Sequence, residues 1–483
     1  MAKNIIVQPS PLGGRGVFAS KSFSPGEELF TVSRPLLSSL DGIRLHDTCV
    51  NCLKWDGDAT IGVQETPLES TLKACSGCKI FKYCRKECQR EHWRLIHKVQ
   101  CPFISKQKRY QDYPASVRGT MDLLLMIPNL QLPQKQAIGE LLSHIEERSK
   151  GGEWETTQVL AVAACKFAKR PDNDAAFALS LYCKVMTNAI TLVGKTLDPL
   201  GLCVDLFVSC INHSCDPNVF FVMDGQALSA RCLKKIQEGD ELSISYVEPT
   251  NPTMIRRKEL KEKFFFDCKC PKCLNEGNTP EDRFQGDSST DGPAKRVQDE
   301  AFNTLFSVRR GKVLPEKIIS ELKRALDLCQ RSGFFSIERQ PIPSICSDLY
   351  VELMMQDRHD ESFEHVFKIY TETDPKWYPN FHPARLAHTY VLARLMKYFC
   401  FQPGREPQEL RGHDLHLVYY GLLLEIESNL NKSHGPTHSF AKGVRAEINM
   451  LREELQRDAI VSIHRELPSI MTAFRGLKKQ ITR

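Results

Sequence analysis

Between Cys49 and Cys101 the chain sets eight metal-ligand residues in four pairs: Cys49-x2-Cys52, Cys75-x2-Cys78, Cys84-x3-Cys88 and His97-x3-Cys101. Zinc in a closed structural site takes four Cys or His ligands at tetrahedral corners, and a gap of two or three residues lets one segment supply two of them. Two pairs complete one site, so the array predicts two zinc ions. Which pairs combine is left open by the spacing. Cys84/Cys88 and His97/Cys101 are spaced i, i+4, so each can project from one helix face. The intervening ECQREHWRLIH reads as helical.

With 483 residues and 41% hydrophobic content, the chain can bury a sizeable core and its length suggests two to four domains. The 19 cysteines come without a secretory leader, because MAKNIIVQPSPLGGRG has no long apolar run. No apolar stretch reaches about 18 residues, so no membrane span is expected. Disulfides are not expected either. Lys plus Arg minus Asp plus Glu is 65 − 59 = +6, too mild to make the whole protein a nucleic-acid binder. The charge is uneven, though. Lys73, Lys79, Lys82, Arg85, Lys86, Arg90, Arg94 and Lys98 face only Glu87 and Glu91 within residues 73–98. Such a face suits phosphates or an acidic partner, although a solvated basic surface is the more common explanation of such a run.

Patterns then shift along the chain. Residues 5–7, 16–19 and 28–32 read as short strands parted by Gly13, Gly14, Pro25 and Gly26. From about 115 to 190 the period becomes helical, with a long run from Thr156 to Thr191 broken near Arg170-Pro171-Asp172. Strands return at 204–247, turning at Glu238-Gly239-Asp240. Residues 275–295 are polar and rich in Gly, Pro, Ser and Asp, as a linker is. Beyond that stretch the chain reads as helical to Arg483, in amphipathic stretches such as PARLAHTYVLARLMKYF and DLHLVYYGLLLEIESNL that resemble paired tetratricopeptide helices without a clean repeat. His382-Pro383 and His434-x3-His438 are expected at turns between helices.

A second cluster carries the chemistry. It joins Asn212-His213-Ser214-Cys215, then Gly239-Asp240-Glu241-Leu242-Ser243-Ile244-Ser245-Tyr246, then Cys268-x-Cys270-x2-Cys273. The last motif has three thiols and lacks a fourth, and Cys215 is the nearest candidate. That makes a third zinc set of Cys215, Cys268, Cys270 and Cys273. The remaining cysteines, at 165, 183, 203, 210, 232, 329, 346 and 400, lie in apolar surroundings and read as small core residues.

NHSCDPN, GDELSISY and FDCKCPKC together resemble the core of a SET domain with its cysteine-rich post-SET segment, and GRGVF at 14–18 resembles that domain's opening. The inserted array resembles a MYND zinc finger. In this nested order the chain is similar to the SET and MYND domain family of protein lysine methyltransferases. The resemblance implies an α+β fold: a SET β-fold in parts 1–48 and 191–250, a MYND finger at 49–101, a helical insert at 102–190, post-SET at 251–275, a linker at 276–298, and an all-helical tetratricopeptide-like domain at 299–483. It also implies an interleaved zinc pairing, Cys49/Cys52/Cys84/Cys88 and Cys75/Cys78/His97/Cys101. The finger is expected to be a separable module, dispensable for chemistry.

The resemblance further implies S-adenosylmethionine as cofactor, held by Arg15, Gly16, Asn212 and His213, with His144, Asn188 and Phe266 as further contacts, Phe266 against the adenine. Ser209 lies just upstream of the loop. Tyr246 would be the active-site tyrosine, touching cofactor and amine. A lysine amine attacks only when neutral, and its reference pKa is about 10.4. A narrow apolar channel and a nearby sulfonium disfavour the ammonium, while a tyrosine hydroxyl and backbone carbonyls fix the angle of approach. Two positions depart from the family: Leu142 stands where an acid is common, and Phe264 where a second channel tyrosine is common.

The expected function is thus an S-adenosylmethionine-dependent protein-lysine N-methyltransferase acting on histone or non-histone proteins, a monomer in nucleus or cytoplasm with no membrane partner. Proline-containing peptides at the finger are expected partners. Two alternatives come from other classes: a MYND-centred adaptor or transcriptional regulator with weak or absent methylation, and a nucleic-acid-binding regulator acting through residues 73–98.

Overall fold

A computed structural model describes residues 4–55, 72–168, 174–284, 292–454 and 457–481. The break expected near Arg170-Pro171-Asp172 lies outside the described residues. Two units emerge: residues 4–55, 72–247 and 257–268 form the first, and residues 248–256 and 269–481 the second.

The first unit opens with strands β1 (Ile5–Pro9), β2 (Arg15–Ala19), β3 (Glu28–Val32) and β4 (Leu37–Leu40). A hairpin comes next in the finger, β5 (Lys73–Ala74) with β6 (Lys82–Tyr83). Later come β7 (Ile190–Val193), β8 (Pro199–Val204), β9 (Asn212–His213), β10 (Val219–Asp224), β11 (Ala227–Cys232) and β12 (Ser243–Ile244). They pair as small sheets: β1-β2, β10-β11-β3, β4-β8-β7 and β12-β9. The last pair is parallel, with Asn212 opposite Ser243 and His213 opposite Ile244. That register is what delivers Tyr246, two residues past β12, to the Asn212-His213 loop. Beside it runs β2, whose Val17 carbonyl accepts from Leu242 N at 2.7 Å.

Between β6 and β7 the chain is helical: α1 (Lys86–His92), α2 (Lys98–Ile104), α3 (Ala115–Met126), α4 (Leu132–Glu140), α5 (Ile145–Arg148), α6 (Trp154–Phe167) and α7 (Ala175–Asn188). The stretch Glu87–His97, expected to be helical, is so, with a wider π turn at Trp93–His97 joining α1 to α2; Cys84 lies before α1, so it does not share a helix face with Cys88 as its spacing suggested. π turns concentrate at functional sites. Here it lets His97 point inward, fully buried, while neighbouring Trp93 stays exposed.

The finger does not stand apart. Its buried Leu53, Phe81 and Tyr83, with Ile104 just beyond it, belong to the same apolar cluster as Val17, Phe30, Leu37 and Ile244. Polar ties reinforce this, because Asn51 donates to Glu91 at 2.7 Å, Glu91 pairs with Arg34, and Gln226 donates to the Asn51 carbonyl. The expectation of a separable finger is therefore not met: the insert completes a core rather than hanging from one.

Helix α8 (Thr253–Phe264) leads toward the post-SET segment. In the second unit, Asp282 accepts from Thr253 N at 2.7 Å and from both the Thr253 and Thr279 hydroxyls, and Thr279 and Glu281 are buried. So the first part of the stretch expected as a linker is packed, and helix Pro293–Arg309 begins within it. Two apolar clusters hold the later helices. Helix Ile318–Ser332 buries Ile319, Leu322, Ala325, Leu326 and Cys329, an i, i+3, i+4 stripe, and ends at left-handed Gly333 (φ 73°). His382 caps helix Pro383–Phe401 by accepting from Ala384 N, and His438 accepts from Phe440 N at the start of helix Ser439–Glu454. These histidines are helix-end residues, as their spacing suggested.

Candidate active site and zinc centres

Three ligand sets converge: Cys49, Cys52, Cys84 and Cys88; Cys75, Cys78, His97 and Cys101; and Cys215, Cys268, Cys270 and Cys273. Within each, all four ligand atoms lie within 4.8 Å of one another. A tetrahedron with zinc–sulfur bonds of about 2.3 Å has sulfur–sulfur edges of about 3.8 Å. Cys52–Cys84 at 3.4 Å, Cys84–Cys88 at 3.6 Å, Cys75–Cys101 at 3.8 Å and Cys215–Cys268 at 4.0 Å match that edge. His97 Nε2 reaches Cys75 at 3.4 Å and Cys78 at 3.7 Å. Burial holds the His97 ring near a pKa of about 4, so it is neutral and free to ligate. Within the first set, the Cys52 hydrogen bond pulls the Cys49 thiol down to about 5, while burial pushes Cys84 up to about 11. Four sulfurs this close cannot all ionise without a central cation. The interleaved pairing and the three-zinc count fit this geometry.

The Asn212-His213 loop is tied on every side. Asn212 Nδ2 donates to the Arg15 carbonyl at 3.1 Å and to Glu241 Oε1 at 2.7 Å. The Ser10 hydroxyl donates to the same carboxylate at 2.9 Å. Gly16 leaves room for this carboxylate, because a Cβ there would run into Glu241 Oε1 and the Phe18 ring. Glu241 thus clamps three segments, a role that its place in Gly-Asp-Glu-Leu does not reveal. His213 is buried and both ring nitrogens are engaged: Nδ1 accepts from Tyr246 N at 3.0 Å, so Nε2 carries the proton and points it at Cys215 Sγ, 3.1 Å away. Its side chain is a brace between the tyrosine backbone and the third zinc set, leaving the loop backbone to face a ligand.

Tyr246 donates its hydroxyl to the Ile211 carbonyl at 2.7 Å. Burial raises its pKa, with Cys210 and Glu241 adding to the shift, so it remains a neutral phenol. Three consecutive phenylalanines then part company. Phe264 lies 4.8 Å from Tyr246, Phe266 lies 5.8 Å from His213, and Phe265 turns away to His144 at 5.1 Å and the Arg148 guanidinium at 5.0 Å. Phe265 achieves this in a left-handed conformation, φ 62°, which costs a non-glycine residue about 1–2 kcal/mol. His144 is left-handed too, at φ 51°, and Asn188 donates to the Leu142 carbonyl at 2.9 Å. Leu142 itself is exposed. Ser209 is engaged locally, donating to the Asp205 carbonyl.

Tyr246, Asn212, His213, Phe266 and Arg15 are thus brought together by direct contacts, while His144 and Asn188 join through Phe265 and residues 142–144. The donor set suits a sulfonium bearing an adenosyl group, since neutral oxygens of Ile211 and Tyr246 stand beside aromatic faces that favour a cation. At Gly14, with φ 65°, an added Cβ meets nothing within 4 Å, so the loop beside Arg15 has open room.

The SET domain family model matches residues 14–247. The chain is 30% identical over 272 residues to "SET domain and MYND-type zinc finger protein 6" of Schizosaccharomyces pombe, covering 56% of this chain and 52% of that one. It is 29% identical over 268 residues to "Histone-lysine N-methyltransferase SMYD3" of Mus musculus, covering 54% and 59%. The chain therefore spans little more than half the length of these relatives. Against "N-lysine methyltransferase SMYD2-B" of Xenopus laevis the likeness is 24% over 454 residues, 91% of this chain and 97% of that one. With a SET domain matched over residues 14–247 and the finger's ligand sets inside it, the chain is similar to proteins that combine a SET domain with a MYND-type zinc finger.

Proposed function

We propose that this protein is an S-adenosylmethionine-dependent protein-lysine N-methyltransferase acting on histone or other proteins. The observation that carries the reading is Tyr246, a buried neutral phenol bonded to the Ile211 carbonyl and walled by Phe264. Its hydroxyl proton is fixed on that carbonyl, so its lone pairs are left for an amine N–H. The Ile211 carbonyl and the tyrosine oxygen together aim a neutral amine, and the Phe264 ring denies water to its ammonium form. S-adenosylmethionine, when bound, supplies the electrophilic methyl. Arg15, Gly16, Asn212, His213 and Phe266 would hold it, with His144 and Asn188 beyond. Nothing in this step calls for a strong base; the proton leaves to solvent before attack.

The relatives' names support the reading, since two of them are lysine methyltransferases by name. An adaptor would have no use for Tyr246, Asn212 and His213 braced together. The finger, on this view, recruits proline-containing peptides of substrate or partner proteins, and the enzyme works in nucleus or cytoplasm. No helix among the described residues is long and apolar enough to cross a membrane. A peptide-array methylation assay with labelled cofactor tests the proposal. Labelled lysine from the wild type and little from Tyr246→Phe supports it. Failure of the zinc-loaded protein to bind S-adenosylmethionine would overturn it.

A further inference from the structure

One face of the finger gathers Lys86, Arg90 and Arg94 around a groove of about 480 Å³, lined also by Trp93, Gln89, Ser76, Gly77 and the zinc-set residues Cys75 and Cys101. The spacing explains the convergence. Lys86, Arg90 and Arg94 follow i, i+4, i+8 along α1 and the π turn, and Gln89 and Trp93 form the adjoining i, i+4 row. Trp93 is 39% exposed, large for a tryptophan beside a fully buried zinc ligand. None of the three cations has an ion-pair partner among the described residues. Of the acids on the same helix, Glu91 is held by Arg34 and Asn51. Arg85 stands beside Cys88 and Cys84 of the first zinc set, while Cys75 and Cys101 of the second set line the groove itself. No acidic residue lines the groove.

We infer that this groove selects peptides in which carboxylates flank an apolar, proline-type residue, the ring seated on Trp93 and the carboxylates on Lys86, Arg90 and Arg94. The inference rests on the finger being a peptide-binding module and adds to it the charge of the ligand. An indole face flanked by unpaired cations complements an apolar residue flanked by anions. Exposed cations act strongly only within about a Debye length, roughly 8 Å at physiological salt, so the selected acids must be near neighbours of the proline. The groove would then bring acidic segments of substrate proteins to the enzyme.

The test is fluorescence anisotropy on the full-length, zinc-loaded chain. One labelled peptide has a proline pair flanked by glutamates, and its twin has glutamines instead. The glutamate peptide should bind about tenfold more tightly, losing that advantage at high salt and in the triple variant Lys86→Glu, Arg90→Glu, Arg94→Glu, whose zinc content and circular dichroism report its folding. Trp93→Ala should weaken both peptides alike. If Trp93→Ala removes binding but the two peptides bind equally, the peptide module stands and its acidic preference falls. If neither peptide binds the folded chain, both fall. Tighter binding of a DNA duplex that displaces the glutamate peptide would reassign the cations to phosphates and overturn the inference.

Discussion

The ring of Phe264 lies 4.8 Å from that of Tyr246, tilted by 44°, so on the proposed reading an apolar edge stands where a tyrosine at this position would place a second hydroxyl. On that reading one hydroxyl, that of Tyr246, orients the nucleophile. Losing a second removes a hydrogen bond worth about 1 kcal/mol and leaves room for methyl groups already added. A slower first methylation with freer progress to higher states is expected. Phe264→Tyr should raise the first rate several-fold and shift product toward monomethyl-lysine, which mass spectrometry of a methylated substrate reads directly. Unchanged rate and product would place Phe264 outside the channel.

Tyr246→Phe should separate chemistry from folding. It deletes the bond to the Ile211 carbonyl, a stability loss of about 1 kcal/mol, while misaiming the amine can lower kcat by about 100-fold. The measurements are kcat on a peptide substrate and the thermal midpoint of the same preparation. A full-rate variant would move the active tyrosine elsewhere.

Much of this site could be read from the chain, because spacing is a local property. Ligand pairs two or three residues apart announce zinc whatever the fold, and Gly-Asp-Glu-Leu followed by alternating residues announces a turn into a strand. What stayed hidden depends on distant partners. Glu241 became visible only when Ser10, Gly16 and Asn212 closed around it. The role of His213 as a brace required the parallel β9–β12 register, and the divergence of three adjacent phenyl rings required a left-handed Phe265. The finger's shared core was likewise invisible, since Leu53, Phe81 and Tyr83 look like any insert's own apolar residues until β2 and β4 lie beneath them.

Metal removal should act through the ligand sets. Elemental analysis is expected to return three zincs per chain, and a strong chelator should unfold the finger, since zinc-site binding energy is folding energy. Because finger and SET residues share one core, replacing residues 49–101 by a short linker should lower the melting temperature of the SET domain as well. Calorimetry showing an unchanged SET transition would make the finger a detachable module after all.

The last prediction lies in the helical unit. His388 Nδ1 donates to both carboxylate oxygens of fully buried Asp374 at 3.1 Å, with Glu248, Tyr378 and His382 nearby. Burial alone would lower the His388 pKa, but the Asp374 charge and hydrogen bond outweigh it, and the value is raised. A group whose folded pKa exceeds its unfolded one stabilises fully below the unfolded value, about 6.5 for histidine, and loses that contribution as pH climbs through the folded value. Stability of this unit should therefore fall from about pH 6.5 upward. His388→Gln should abolish that slope and lower stability by about 3 kcal/mol, the cost of leaving the buried Asp374 carboxylate without its cation, whereas Asp374→Asn should abolish the slope at a smaller cost because His388 turns neutral. Denaturant titrations at a series of pH values read both, and a wild-type midpoint that is flat across this range would mean the pair is not ionised in the fold.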